Sequence, residues 1–189
     1  RSSLDAELLR GKTEITGDLL IETNGLETVS LPALKAVGGS LTYRGNTALL
    51  ACEMPALASI GSDLAVEQNA AMTTCAMPGL TSVGGSVRVD NNPLLESVTM
   101  DGLTDVGGDL VLQQSPVLEA PALTSLKRLG GVITLGSLPA ITTLMLGELE
   151  ELGGLVLANS ATLATVDMPS LTSVSGSIDT FNNAALKTL

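Results

Sequence analysis

One column of apolar residues constrains this chain more than any other feature. Aligned on a Gly-Gly-Ser-Leu motif, Leu19, Leu41, Leu64, Val87, Leu110, Ile133, Val156 and Ile178 recur at steps of 22, 23, 23, 23, 23, 23 and 22 residues. A fixed period of this length, held without an insertion, marks a repeat architecture. Each unit is one supersecondary piece that cannot bury its own face and relies on stacked neighbours for a core. The chain holds about seven and a half such units.

The remaining columns follow from the first. Ile21, Tyr43, Val66, Val89, Leu112 and Leu135 lie two residues on. Later in the unit come the columns of Leu49, Cys52, Met54, Leu57 and Ile60, each repeated by an apolar residue in the following units. Seven inward positions per unit make a closed apolar ring. Within a unit the apolar residues alternate with period two at Leu41-Thr42-Tyr43 and Val98-Thr99-Met100, which is the signature of strands. Double glycines such as Gly38-Gly39 and Gly84-Gly85 precede the first strand, and Pro32, Pro55, Pro78 and Pro169 follow the second. Glycine permits φ > 0 at a corner, and proline cannot donate to a ladder. Breakers at this density leave no room for a helix of ordinary length. The predicted fold is all-β: a single parallel β-helix, or solenoid, of about 7–8 coils with 22–23 residues per coil.

A polar column accompanies the apolar ones. Asn24, Asn46, Asn69, Asn92 and Asn183 recur with Ser115 in the corresponding place. Identical side chains one strand spacing apart bond one another and the corner backbone, so these asparagines are read as structural. Cys52 and Cys75 share an inward column one coil apart. Two readings stay open for them: a rung-to-rung disulfide, or free buried thiols filling a small core site, the latter slightly preferred.

The ends differ. Residues 1–12 break the repeat and carry helix signals: a Ser N-cap, acids in the first turn, Arg10 late and Gly11 as a stop. They are expected to form a short capping helix over a solenoid spanning 13–189. The last unit stops mid-coil at Leu189, so either more chain follows or that edge meets a partner. The start at Arg1 fits a processed product or a fragment.

The unit Leu-Pro-Ala-Leu-Lys-Ala-Val-Gly-Gly-Ser-Leu-Thr-Tyr at 31–43, followed by Asn46 and Leu49, resembles the receptor L-domain family. These are the leucine-rich β-helical modules of growth-factor and insulin receptors and of microbial surface proteins. The resemblance covers nearly the whole chain. It implies a right-handed β-helix, an extracellular or cell-surface setting and ligand or matrix binding. The chain lacks the family's flanking cysteine-rich modules, and its regular, aromatic-poor repeat is closer to the microbial forms.

Chemistry is sparse. There is no histidine, which removes the usual triads and the commonest general base. The double glycines are not followed by Lys-Ser/Thr and recur in every coil, so they are corners, not phosphate loops. Asp101, Asp105 and Asp109 lack the nonapeptide repeat of calcium-binding β-rolls. Glu22, Glu67 and Asp90 share an outward column beside Arg44 but are spaced apart or flanked by unlike residues, so a solvated face is expected rather than a glycan-cleaving pair. The net charge of −11 argues against nucleic acid and against an anionic membrane surface. Mean hydropathy is +0.40, yet no unbroken apolar run suggests a membrane span. No cofactor or metal is expected.

The function expected is a non-catalytic extracellular binding or adhesion module with a protein or glycan partner. The alternative is a structural scaffold subunit of a larger assembly, contacting partners through a solenoid face or its C-terminal edge. Leu20, Val111 and Leu157 are apolar at outward positions of the first strand and are the candidate contact residues.

Overall fold

The structure is a computed structural model, described for residues 9, 11–23, 25–119, 121 and 123–189. It is a parallel β-solenoid, as the period requires. Short strands lie on three walls, and they pair in parallel with their copies in neighbouring coils. The short-strand wall runs through eight two-residue strands, from Glu14–Ile15 to Ser173–Val174. The long-strand wall also has eight rungs, from Leu19–Ile21 to Ile178–Phe181. The third wall has four paired strands, Thr28–Ser30 to Ser97–Thr99, and then two more, Thr143–Met145 and Thr165–Asp167. The expected capping helix falls mostly on residues outside the described ones.

Period-two alternation explains the walls. In Leu41–Arg44 the first and third residues are buried and the second and fourth face out. The pairing is in register, Leu41 to Leu64 and Tyr43 to Val66, so each inward side chain lies on its own copy. The core is thus a set of stacked aliphatic columns, among them Leu49, Met54, Leu57 and Ile60, all essentially without solvent contact. Tyr43 is the largest buried side chain, and its hydroxyl donates only to Met54 Sδ at 3.5 Å. Burial pushes its phenol above the ordinary tyrosine range.

Pro121 stands in the inward column of the third wall. It lies 23 residues after Val98 and 23 before Leu144, and it is buried as they are. Proline supplies no N–H to a ladder, and Pro121 itself is in no strand.

The double glycines are needed for a reason other than the one expected. Positive φ among the described glycines occurs only at Gly11 and Gly45. A Cβ on Gly61 would instead run into the carbonyl oxygen of Gly38, one on Gly84 into that of Gly61, and one on Gly107 into that of Gly84. The coils touch backbone to backbone here, and a side chain has nowhere to go.

The left-handed corner lies at the other end of the long-strand wall. Gly45, Gln68, Asn91, Gln114, Ser137, Asn159 and Asn182 occupy equivalent places, with φ between 52° and 64°. Only the first is glycine. Gln114→Gly is therefore expected to raise stability by about 0.5–1 kcal/mol, read by urea denaturation, because an L side chain in this region costs energy that glycine avoids. A lowered midpoint would show that the side chain itself holds the corner.

Just past this corner runs the buried polar ladder. Asn46 donates through N and Nδ2 to Asn69 Oδ1, at 3.3 and 2.7 Å. Asn69 does the same to Asn92 Oδ1, at 3.0 and 3.1 Å. Asn92 N donates to Ser115 Oγ at 3.3 Å. Each Asn Nδ2 also caps a wall carbonyl, as Asn69 does at Tyr43 O, 3.1 Å. Leu138 interrupts the column, which resumes with Ser160 N donating to Asn183 Oδ1 at 3.0 Å. The ladder begins at Thr23, whose N–H donates to Asn46 Oδ1 at 2.7 Å. The first coil is one residue shorter on this side, so Thr23 fills the place assigned from the sequence to Asn24, and Asn24 lies outside the described residues.

A second, exposed ladder was not anticipated. Ser40 N donates to Asp18 Oδ1, Asp63 N to Ser40 Oγ, Ser86 N to Asp63 Oδ1, Asp109 N to Ser86 Oγ and Val132 N to Asp109 Oδ1, all within 3.3 Å. It borders the glycine corner and points back toward the first coil, opposite to the asparagine ladder.

Cys52 and Cys75 form a disulfide, which corrects the preference for free thiols. They are paired in register on the third wall with their Cα atoms 4.8 Å apart, inside the span a disulfide bridges. Packing volume alone favoured thiols; the register decides otherwise. The bond closes a 23-residue separation and is buried. Replacing both cysteines with alanine is expected to cost about 3 kcal/mol in urea unfolding, from the closed-loop entropy of the denatured chain. Alkylation of the native chain without reductant, read by mass spectrometry, should find no free thiol.

Candidate functional site

Because inward columns are uniform, departures from the repeat must be sought outside. The most varied surface is the outward face of the long-strand wall. Register places Arg44, Glu67, Asp90 and Gln113 side by side in one column, and Thr42, Ala65, Arg88 and Val111 in the next. Arg44 reaches Glu67 at 3.0 Å, and Arg88 reaches Glu67 at 2.9 Å and Asp90 at 2.6 Å. Glu67 is the hub, its side chain 14% exposed against 57% for Arg44. A shallow groove of about 320 Å³ runs across this network, floored by Ala65 and bordered by Ser40, Asp63 and Ser86 of the exposed ladder.

Glu67 and Asp90 are on adjacent rungs, closer than the spaced arrangement expected, but Arg88 sits between them and pairs with both. One guanidinium is thus held against both carboxylates. Asp90 keeps one oxygen, Oδ1, buried and without a hydrogen-bond partner. Of the three aspartates read for calcium, Asp109 is engaged by Val132 N and Asp105 by Arg128 and the Thr104 hydroxyl, while Asp101 is exposed. Among the described residues no group of three or more His, Cys, Asp or Glu could hold a metal ion.

The outward apolar candidates divide. Leu20 is 51% exposed, and Val111 is half-buried on the same face. Leu157 is wholly buried, which corrects its outward assignment. The structure pairs Ile133 with Leu155 and Leu135 with Leu157, leaving Val156 outward beside Thr134. In this coil Gly153-Gly154 is followed directly by Leu155, so the corner is one residue short and Gly154 is drawn into the strand opposite Val132. Counting 23 from Ile133 therefore lands on Val156, one residue too far.

At the last coil a second depression, about 350 Å³, is lined by Val166, Met168, Leu171, Ile178 and Leu189 among others. Ile178 continues the inward column of Leu155 and is 43% exposed. No helix among the described residues is long and apolar enough to cross a membrane. No family model, curated protein or solved structure matches this chain.

Proposed function

We propose that the chain is a non-catalytic binding module displayed outside the cell, with the outward face of the long-strand wall as its contact surface. The observation that carries this is the ion-paired set Arg44, Glu67 and Arg88 around one groove, with Asp90 paired to Arg88 beside it. A stiff scaffold with variable side chains on one wall is how solenoids present extended contact surfaces. The buried Cys52–Cys75 bond supports an oxidising compartment, since structural disulfides persist there and are rare in the cytosol. The likeness of the repeat to receptor L domains supports the same setting.

The test is binding of labelled chain to intact cells of the encoding organism, compared with Arg44→Glu/Arg88→Glu. The expected result is saturable surface labelling that falls at least tenfold in the double variant. Equal labelling by both chains removes this face from the reading. A scaffold subunit is the second reading, favoured by Leu20, which is exposed on the same wall. Size-exclusion chromatography separates the two: a scaffold subunit with its contact bare self-associates, and a binding module elutes as a monomer.

A further inference from the structure

Around the groove, the outward face of the long-strand wall is a grid of three columns. Ser40, Asp63 and Ser86 directly precede the strands, Thr42, Ala65 and Arg88 stand second in them, and Arg44, Glu67 and Asp90 stand fourth. Ala65 is at the centre of the grid. Its short side chain makes the floor, and the longer side chains around it enclose about 320 Å³. That is the small end of ligand sites, a fit for one compact group and not for a folded surface.

The charges beside this floor are layered. Arg44 and Arg88 expose 57% and 40% of their side chains, Glu67 and Asp90 only 14% and 18%. Carboxylates lie beneath and guanidiniums above, so a partner meets cations first, on a chain of net charge −11. In the eight strands of this wall, Arg44 and Arg88 are the only Lys or Arg. They stand two rungs apart, yet both reach one carboxylate. Arg44 Nη2 lies 3.0 Å from Glu67 Oε2, and Arg88 Nε lies 2.9 Å from Glu67 Oε1. A second carboxylate has the same span and can straddle the same two side chains from the solvent side. A guanidinium carries five N–H donors, so donors remain for it. Glu67 and Asp90 already hold the arginines in place, which lowers the ordering cost of binding.

We propose that the groove binds one carboxylate-bearing sugar residue, a uronic or sialic acid, with its carboxylate on Arg44 and Arg88 and its ring over Ala65. This names the ligand class of the contact face proposed above and rests on that reading. The hydroxyl groups of such a ligand find partners on the opposite side of the floor. Ser40 Oγ and Ser86 Oγ accept from Asp63 N and Asp109 N, which leaves their O–H protons to donate. Asp63 Oδ1 accepts from Ser86 N at 2.7 Å, and its other oxygen is placed to accept from a ring hydroxyl. A bare carboxylate uses none of these groups. Charge limits the ligand as well. Asp18, Asp63 and Asp109 line the wall beside the groove, so a polyanion is repelled along it, while a single carboxylate rests on the two guanidiniums.

The experiment is titration of the intact chain with methyl glucuronide, methyl galacturonide and N-acetylneuraminic acid, read by calorimetry and ligand-observed NMR. Methyl glucoside, which lacks the carboxylate, acetate, which lacks the hydroxyls, and a Glu-rich peptide are the comparisons. The expected result is saturable binding of at least one acidic sugar, at least tenfold tighter than each comparison. Ala65→Leu fills the floor from an outward position and keeps both arginines. With folding checked by circular dichroism, it should weaken that binding at least tenfold, as should Arg44→Gln/Arg88→Gln. Arg128→Ala, on the short-strand wall, should leave it unchanged. No binding of any acidic sugar, equal binding of methyl glucoside or acetate, or binding unaltered by Ala65→Leu overturns the proposal. So does a Glu-rich peptide that binds as well, which would assign the arginines to an acidic protein partner. Cell labelling that falls with Arg44→Glu/Arg88→Glu but not with Ala65→Leu would overturn the sugar and leave the contact face standing.

Discussion

Val98→Asp is expected to lower the unfolding free energy at neutral pH by about 3–5 kcal/mol, because it places a carboxylate among aliphatic columns with no cation to pair with. Val98 is 3% exposed and lies in register on Cys75. The next residue in its column is Pro121, and among the described residues the Ser97–Thr99 strand pairs with Thr74–Ala76. The sign with pH is fixed by burial. Desolvation raises the introduced carboxyl's folded pKa above its unfolded value near 3.9, so the penalty is absent below that pH and grows as pH rises toward the folded value. Urea denaturation at pH 4 and pH 7 checks this: most of the loss should vanish at the lower pH. An unchanged midpoint at pH 7 would mean that the column does not face inward.

The second large effect is expected at Asn69→Leu, again about 3–5 kcal/mol, because several buried partners lose their bonds at once. The Asn69 side chain accepts from Asn46 N and Nδ2 and donates to Tyr43 O and Asn92 Oδ1. The chain already carries a leucine in this column at 138, and the reason it is tolerated sharpens the prediction. Its neighbours are serines, and Ser115 and Ser160 turn their hydroxyls to carbonyls of their own rungs, Gln113 O and Ala158 O, both at 3.2 Å. Their hydroxyls ask nothing of the side chain at 138, and Ser160 Oγ accepts from Leu138 N at 3.4 Å. Asparagines at 46 and 92 do ask, since their amides reach across rungs. Asn69→Ser should therefore cost clearly less than Asn69→Leu in the same urea experiment; equal losses would show that side-chain volume, not the ladder, sets the penalty.

Much of this fold is readable in the chain, for a simple reason: stacking forces one residue type into one column, and a column is visible as a period. Leu41, Tyr43, Leu49, Met54, Leu57 and Ile60 were assigned inward from spacing alone and are buried. Spacing fails where a corner changes length. Such a change shifts a strand by one residue and exchanges its two faces, which is why even spacing places Leu157 outward. Composition also misleads about cause. Glycines at a corner suggested positive φ, and the structure uses them for backbone contact, leaving the left-handed turn to glutamine, asparagine and serine. The Asp–Ser ladder from Asp18 to Val132 was missed because its members alternate in type, so no single residue recurs. For the candidate surfaces, the outward residues could be named from the sequence. The cross-rung pairing that gathers Arg44, Glu67, Arg88 and Asp90 needs coordinates.

The corner shortened at Gly153-Gly154 has one more consequence. That corner is one residue shorter, yet the strand behind it is in register within the same turn, and the rungs on either side keep their partners. Small changes of length are thus confined to corners, while a change of one full period is silent everywhere except in the number of rungs. The coil acts as a unit of measure. A lineage could lengthen or shorten this rod in steps of about 4.8 Å by copying or dropping 23 residues, and every wall, ladder and corner would scale with it.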